Sequence, residues 1–293
     1  AFVDYHDRPP VAQHGGVGLS AVRGRLPLVS IITVVRNGER FLEQTIRSVI
    51  AQDYPYIEYI LIDGASTDGT LDIIARHEAD VSHWRSEPDS GIYDAMNKGI
   101  GLAHGQLIKL LNADDVLLPG AITAAVNAHQ EAGAPCVITS DLEIVDAAGT
   151  HLKIIDAERF LNPVGAVLHP SWLVHRSLYE GHGLYDPSFR TSSDYELFVR
   201  LHSRDVPFHH IHRPLAQFRS GGASSGFGGI ADSFKINEHY FGRRVAARTA
   251  LRHAVRKMRS RALSTLFSSQ RLQQLHAWRT RAARRTQRPR AEP

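Results

Sequence analysis

The stretch Leu28–Asp63, "LVSIITVVRNGERFLEQTIRSVIAQDYPYIEYILID", decides the fold class. Its opening "LVSIITVV" is a near-continuous β-branched run, the pattern of a strand buried on both faces in a parallel sheet. In "GERFLEQTIRSVIAQ" the residues Phe41, Leu42, Ile46, Val49 and Ile50 fall on one helical stripe, and "YIEYILID" returns as a second strand. The alternation continues downstream. "TLDIIARHE" and "IYDAMNKGIGLA" read as helices, "VSHWRSE", "QLIKLLNADD" and "CVITSDLEIV" as strands, and Pro119 opens a helix through about Glu131. Right-handed crossovers between such elements build an open α/β sheet with a mostly parallel core flanked by helices.

The chain has 293 residues, 43% hydrophobic and 22% charged, enough for one sizeable core with an appendage or for two modest domains. Its single cysteine, Cys136, excludes an internal disulfide framework and any CxxC metal or redox motif, and points to a reducing compartment. No run approaches the roughly 18 apolar residues of a spanning helix and no charged-then-apolar leader opens the chain, so neither a membrane span nor export is expected. Ala1 stands where a Met would begin a chain, which reads as a trimmed N-terminus. The net charge of +4 hides an asymmetry: residues 240–293 carry fifteen Arg and Lys against one acid, Glu292, so the rest sits near −10.

Residues 1–26 hold Pro, Gly, His and Arg without apolar periodicity and read as an irregular extension. Beyond residue 150 the pattern loosens: "HPSWLVHRSLYE" and "SDYELFVRLH" read as helical and "FHHIHRPLAQFRS" as extended. From about Ile230 a basic helical region begins, with Phe241, Val245, Leu251, Val255 and Met258 spaced along it, and the last dozen Arg-rich residues read as disordered.

In an open parallel sheet, ligands bind beyond the carboxyl ends of the strands. The first four strands end in Arg36-Asn37-Gly38-Glu39, in Asp63-Gly64-Ala65-Ser66-Thr67-Asp68-Gly69, in Glu87-Pro88-Asp89-Ser90-Gly91 and in Asn112-Ala113-Asp114-Asp115. Taken singly, each is ordinary loop and N-cap chemistry. Repeated four times, they make an acidic rim. No GxGxxG follows the first strand and no GxxxxGK[ST] occurs, so the usual routes to a phosphate are absent. Carboxylates can still hold a diphosphate through a hard divalent cation, and Asp114 and Asp115 stand where they would bind Mg2+ or Mn2+.

Three segments in order, "VSIITVVRNGERFLEQTIRSVIAQDYPYIEYILIDGASTDGT", "SEPDSGIYDAMNKGI" and "LLNADDVLLPG", resemble the nucleotide-sugar-binding half of a family 2 glycosyltransferase with the GT-A fold. The resemblance runs over about residues 28–220. It implies a GT-A domain over 27–225, divided into a donor half (27–135) and an acceptor half (136–225), with the basic helical region 226–293 appended. It also implies transfer of a sugar from a nucleoside diphosphate donor, with inversion at the anomeric carbon. Thr33, Val35, Arg36, Glu39 and Asp63 would then hold base and ribose, and Asp63 is compatible with uracil. "NADD" resembles the DxD-type metal motif with Asn112 in place of its first acid, leaving Ala113 and Asp114 at the donor and Asp114 and Asp115 at the metal. Asp89, Gly91, Asn97 and Lys98 would lie beside the diphosphate; Gly91 permits close backbone approach, and Asp94, Asn97 and Lys98 share a helical face, where Asp94 and Lys98 can equally form a surface pair. "SSDYELFVRL" resembles the family's second acidic motif, with Ser193 where Glu is common, and makes Asp194 the candidate base for the acceptor hydroxyl.

Seventeen histidines invite a metal reading. "HHIH" would put His210 and His212 on one strand face, but no Cys or further clustered ligand completes a site in the sequence, so ordinary partly buried histidines are expected. His169 and Trp172 in "LHPSW" precede the acceptor region, Trp172 offering a ring to stack on a sugar. "FRSGGASS" resembles the family's flexible segment after the sheet, from which Arg219 would reach the diphosphate. The basic tail reads either as a surface for anionic membrane or as a solvated appendage or oligomer contact; nucleic acid is not expected, because no nucleic-acid motif accompanies the charge. The whole reads as a cytoplasmic enzyme, peripheral on the inner membrane face, that glycosylates a glycan or lipid-linked acceptor in cell-surface polysaccharide synthesis. Two alternatives are a non-catalytic nucleotide-sugar-binding scaffold and a sugar nucleotidyltransferase, though the latter's Gly-rich basic phosphate loop is not supplied by "VVRNGERF".

Overall fold

The computed structural model describes residues 26–161, 168–221 and 228–266. The crossover read from the opening stretch is present as β1 (Val29–Val35), α1 (Leu42–Ile50) and β2 (Ile57–Asp63). All seven residues of each strand are buried, as the unbroken β-branched runs require, and α1 buries Leu42, Thr45, Ile46 and Val49. Next come α2 (Thr70–Arg76), β3 (His83–Ser86), α3 (Ile92–Leu102) and β4 (Leu107–Asn112), closing a parallel block β3-β2-β1-β4. The register pairs Val35 with Asp63, Asp63 with Ser86 and Val34 with Asn112. Four strand tips therefore end level, on one rim.

The sheet then changes character. β5 (Val116–Leu117), α4 (Ala121–Ala132), β6 (Val137–Val145), β7 (His151–Ile155), β8 (Leu173–His175), α5 (Arg176–His182), α6 (Ser193–His202) and β9 (Phe208–Arg219) give the order β3-β2-β1-β4-β8-β6-β9-β5, with β7 paired to β6. β6 and β9 run parallel, while β8 lies antiparallel between β4 and β6. This overturns the helix expected over "HPSWLVHRSLYE": a 3-10 turn at His169–Ser171 leads into strand β8, and only Arg176–His182 is helical. The cause is tertiary. Without β8, the facing edges of β4 and β6 would leave buried N–H and C=O groups without partners, and Leu173 and Val174 are buried in the gap. β5 escaped sequence reading because two residues show no period, and β7 because it is an exposed edge.

The chain divides into two compact units between Ser233 and Phe234, within helix α7 (Gly228–Phe241). Beyond it, α8 (Arg243–Leu266) exposes Leu251, Val255 and Met258 among its arginines. Among the described residues no helix is long and apolar enough to cross a membrane. The expected irregular extension (but for Leu26), the Arg-rich end and most of "GGASS" lie outside the described residues.

Candidate functional site

At the level strand tips a cleft of about 580 Å3 opens. Its floor comes from the tip of β1, Val35 to Gly38, and from the tip of β4, Asn112 to Asp114; Asp89, Gly91 and Ile92 form a second wall, and Phe41 and Phe218 a third. The β1 turn is built for this shape. Asn37 takes a left-handed conformation (φ 53), its N–H donates to Ser66 Oγ (2.7 Å), and its Oδ1 accepts from Thr67 N (2.8 Å). A Cβ on Gly38 would come within 2.5 Å of Val35 Cγ2, so only glycine lets the chain turn so tightly beside the cleft. Gly91, at φ 134, aims the N-terminus of α3 at the opening, where the helix's unpaired N–H groups favour an anion.

The two acids of "NADD" part company. Asp114 lines the cleft, and partial burial raises its pKa while Arg219 opposes the rise. Asp115 is fully buried: Oδ2 accepts from Asn112 Nδ2 (3.0 Å), Oδ1 from Arg219 N (3.3 Å), and burial together with Asp114 pushes its pKa up to about 8. A carboxylate so enclosed is no cleft ligand, and the expected metal pair narrows to Asp114. Asn112 offers the neighbouring oxygen: its Nδ2 is held by Asp115, and its buried Oδ1 has no hydrogen-bond partner among the described residues. One carboxylate and one unpaired amide oxygen are hard donors that fit Mg2+ or Mn2+.

Arg219 does not reach out to a diphosphate. It is buried, with Nε donating to Asp114 O (3.2 Å), Nη1 to Asp146 O (3.1 Å) and Ala147 O (3.3 Å), and Nη2 to Gln44 Oε1 (2.8 Å), while its guanidinium lies 4.3 Å from the centroid of Phe41. It fixes the backbone under Asp114 and one aromatic wall at once. Arg36 differs: it is exposed on the cleft with no hydrogen bond or ion pair among the described residues.

Other expected donor residues stand behind the wall. Thr33 is in the core, accepting from Tyr59 Oη (3.2 Å). Glu39 holds Gly69 N (2.8 Å), and Asp63 is buried and bonded to Ser66 Oγ (2.5 Å) and Ser86 Oγ (2.6 Å). These two stiffen the loop after β2 instead of lining the cleft. Asn97 is spent on both backbone groups of Tyr185 (2.8 and 3.1 Å), and Lys98 on Pro88 O and Glu87 (3.0 Å each). Val35, Arg36, Asp89, Gly91, Ala113 and Asp114 are the expected donor residues that meet in the cleft. Phe41, Ile92 and Phe218 were missed, because an apolar residue in an amphipathic pattern reads as core.

A smaller depression of about 340 Å3 adjoins the cleft and shares Arg36, Asp89, Gly91 and Ile92 with it. Tyr93 and Arg190 complete its sides. Tyr93 Oη donates to Asp194 Oδ1 (2.9 Å), which connects the candidate base, in the first turn of α6, to this rim. Burial raises the Asp194 pKa, and the Tyr93 hydrogen bond holds it back. The two acceptor candidates are placed elsewhere. His169 is buried against Tyr185 Oη (2.8 Å), and Trp172 is enclosed by Phe198, Phe208 and His169, with no ring face free for a sugar.

Residues 30–149, which carry β1 to β4 and the whole Asn112–Asp115 tip, match the family model for glycosyl transferase family 2. An uncharacterized glycosyltransferase of Mycobacterium tuberculosis is 34% identical over 180 residues, 59% of this chain and 68% of that protein. The putative teichuronic acid biosynthesis glycosyltransferase TuaG of Bacillus subtilis is 38% identical over 92 residues, 30% of this chain and 36% of TuaG. Among solved structures, S. aureus TarS 1–349 in complex with UDP-GlcNAc superposes with a TM-score of 0.57 at 14% identity, over 73% of this chain and 65% of that one, and the shared architecture is the GT-A fold. With the rim and its acids falling inside the matched segment, the chain belongs to glycosyl transferase family 2 and is an enzyme of the glycosyltransferase class.

Proposed function

We propose that the chain transfers a sugar, with inversion, from a nucleoside diphosphate sugar to a glycan or lipid-linked acceptor in cell-surface polysaccharide synthesis, with UDP as the favoured nucleotide. The observation that carries this reading is the cleft at the level tips of β1 and β4, where Asp114, Asn112 and Arg36 line a space walled by Phe41, Ile92 and Phe218. Apolar walls with a few convergent polar groups suit a nucleoside, and a cation with a helix N-terminus suits its phosphates. The names of TuaG and of the UDP-GlcNAc complex of TarS support the pathway and the donor.

Asp114 and Asn112 Oδ1 would hold the divalent cation, Mg2+ or Mn2+, which when bound offsets charge on the leaving diphosphate. Arg36 meets the phosphates from the β1 side. Asp194, its pKa raised by burial, accepts the acceptor's hydroxyl proton as that oxygen attacks the anomeric carbon from the face opposite the diphosphate. Tyr93 orients Asp194 through its hydroxyl. The domain boundaries proposed are those read from the sequence, with 27–225 as the catalytic domain and 226–293 as a basic appendage. That appendage, with its exposed Leu251, Val255 and Met258, is suited to an anionic membrane surface and would keep the enzyme peripheral on the cytoplasmic face.

Calorimetry of UDP, GDP and dTDP binding, with and without Mn2+, tests the reading on the wild-type chain and on Asp114→Ala. One nucleotide should bind in a metal-dependent way and lose that dependence in the variant. If none binds under any metal condition, the assignment of this cleft as the nucleotide-sugar site fails.

A further inference from the structure

The histidine pair of "HHIH" finds in the structure the partners that the sequence did not show. Asp141 on β6, Asp156 just after β7 and His210 on β9 bring one ligand atom each to within 4.8 Å of one another. The bulge in the β6–β9 register, where Asp141 faces Pro214 after Ser140 faces Ile211, is what turns Asp141 toward His210.

Thr139 Oγ1 lies 2.9 Å from His210 Nδ1 and Nε2 lies 2.9 Å from Asp141 Oδ1, so the ring is held at both nitrogens. When Nδ1–H donates to Thr139, Nε2 presents its lone pair to the cluster, the form in which an imidazole binds a metal. Asp156 Oδ1, a buried carboxylate oxygen, has no hydrogen-bond partner among the described residues and stands beside a second carboxylate. Asp156 spends only Oδ2, on Arg159 Nε (2.8 Å).

We propose that Asp141, Asp156 and His210 form a divalent transition-metal site, separate from the sugar-donor cleft, with zinc the best-suited ion. One imidazole and two carboxylates suit Zn2+ or Mn2+ better than Mg2+ or Ca2+. Thr139 orients the imidazole as a hydrogen-bond acceptor at the non-ligating nitrogen does in metal sites generally. Bonds of about 2.0–2.2 Å to zinc bring tetrahedral ligands to about 3.4 Å apart, so the spacing here closes by side-chain movements on the order of 1 Å. The Asp156 side chain is 43% exposed, which leaves a solvent-facing fourth position for water. The ion would tie β6 and the segment after β7 to β9, whose end brings Phe218 to the cleft wall and Arg219 beneath Asp114.

The test is zinc calorimetry with thermal melts, on the full chain carrying Asp114→Ala so that the cleft carboxylate does not contribute. About one equivalent of Zn2+ should bind, and the melting temperature should rise with added metal. Asp156→Asn should weaken zinc binding at least tenfold, and His210→Gln should abolish it; in Co2+-loaded protein, His210→Gln should remove the visible bands of a nitrogen-ligated, low-coordinate site. Because Asp156 is a partly exposed position, its variant should fold as the parent does, which the melt without metal checks. Undiminished zinc binding in both variants, or no zinc binding by the Asp114→Ala chain, overturns the proposal. Neither outcome bears on nucleotide binding in the cleft.

Discussion

Replacing Arg219 with Ala separates a residue that builds the cleft from one that touches the ligand. The side chain serves four acceptors, but Nη1 is shared between Asp146 O and Ala147 O, and three of the four contacts are 3.1 Å or longer. Counting three effective hydrogen bonds at about 1 kcal/mol each, a typical net value and below the range for charged groups because the contacts are long, gives about 3 kcal/mol. The guanidinium over Phe41 adds about 1 kcal/mol. A loss of about 4 kcal/mol is therefore expected, and a domain of this size should melt about 8–16 °C lower. Arg219→Lys keeps the charge but not the fork, and should recover less than half of the loss. Urea denaturation gives the stability, and parallel titrations with uridine and UDP read the cleft. If Arg219 acts as the structure indicates, both ligands weaken together, since Phe41 and the Asp114 backbone move together. A loss below about 1 kcal/mol, or a selective hundredfold loss of UDP affinity with uridine unchanged, would show that the guanidinium contacts phosphate and that the structural account is wrong.

Asp194→Asn should abolish transfer and leave nucleotide affinity intact, as measured by calorimetry beside a turnover assay. Because burial raises the Asp194 pKa, the base form is lost on acidification at a higher pH than for an ordinary carboxylate; Tyr93→Phe removes a hydrogen bond that lowers it, so the acid limb of kcat/KM should move to still higher pH. Burial and Lys109 push His169 down to about 3, so the fold holds the ring neutral, and stability should decline from pH 6.5 toward 3. His169→Gln should remove up to about 1.4 kcal/mol per pH unit of that decline, read as the difference between the two chains' urea midpoints across the window. Gly91→Ala meets no atom within 4 Å, so its penalty is backbone strain alone: about 1–2 kcal/mol in urea unfolding, with weaker UDP binding as the α3 N-terminus shifts, and a neutral outcome would refute the strain argument.

The parallel half was legible because its signals are local. A β-branched run, a helical stripe and a polar strand tip each lie within a dozen residues, and in β1 to β4 nothing tertiary overrides them. The helix expected around Trp172 failed because the strand there exists only to join two others, and no residue in "SWLVH" announces that. At the site, residue type and position marked Arg36, Asp89, Gly91 and Asp114, which all meet in the cleft. Side-chain direction was beyond reach. Asp115 follows Asp114 yet points inward, and Asp63, Lys98 and Arg219 look like ligands in sequence but are consumed by their neighbours. The apolar walls were hidden for the opposite reason, since Phe41 and Phe218 are indistinguishable from core until the cleft is seen.

The placement of β8 has a consequence for how the molecule assembles. The strands β3, β2, β1 and β4 form from one continuous stretch, 29–112, whereas β6 joins them only through β8, whose ladder has two pairs on each side. The other link, β5 to β9, is also two pairs long. Short ladders between segments distant in sequence gain little until both are docked, so the donor-side block is the natural folding nucleus and the second half closes onto it late. During synthesis the exposed edge of β4 waits for some sixty residues, from Asn112 to Leu173, before its partner emerges. In that interval the nascent chain carries an unprotected strand edge, the period in which chaperone capture or aggregation competes with native closure.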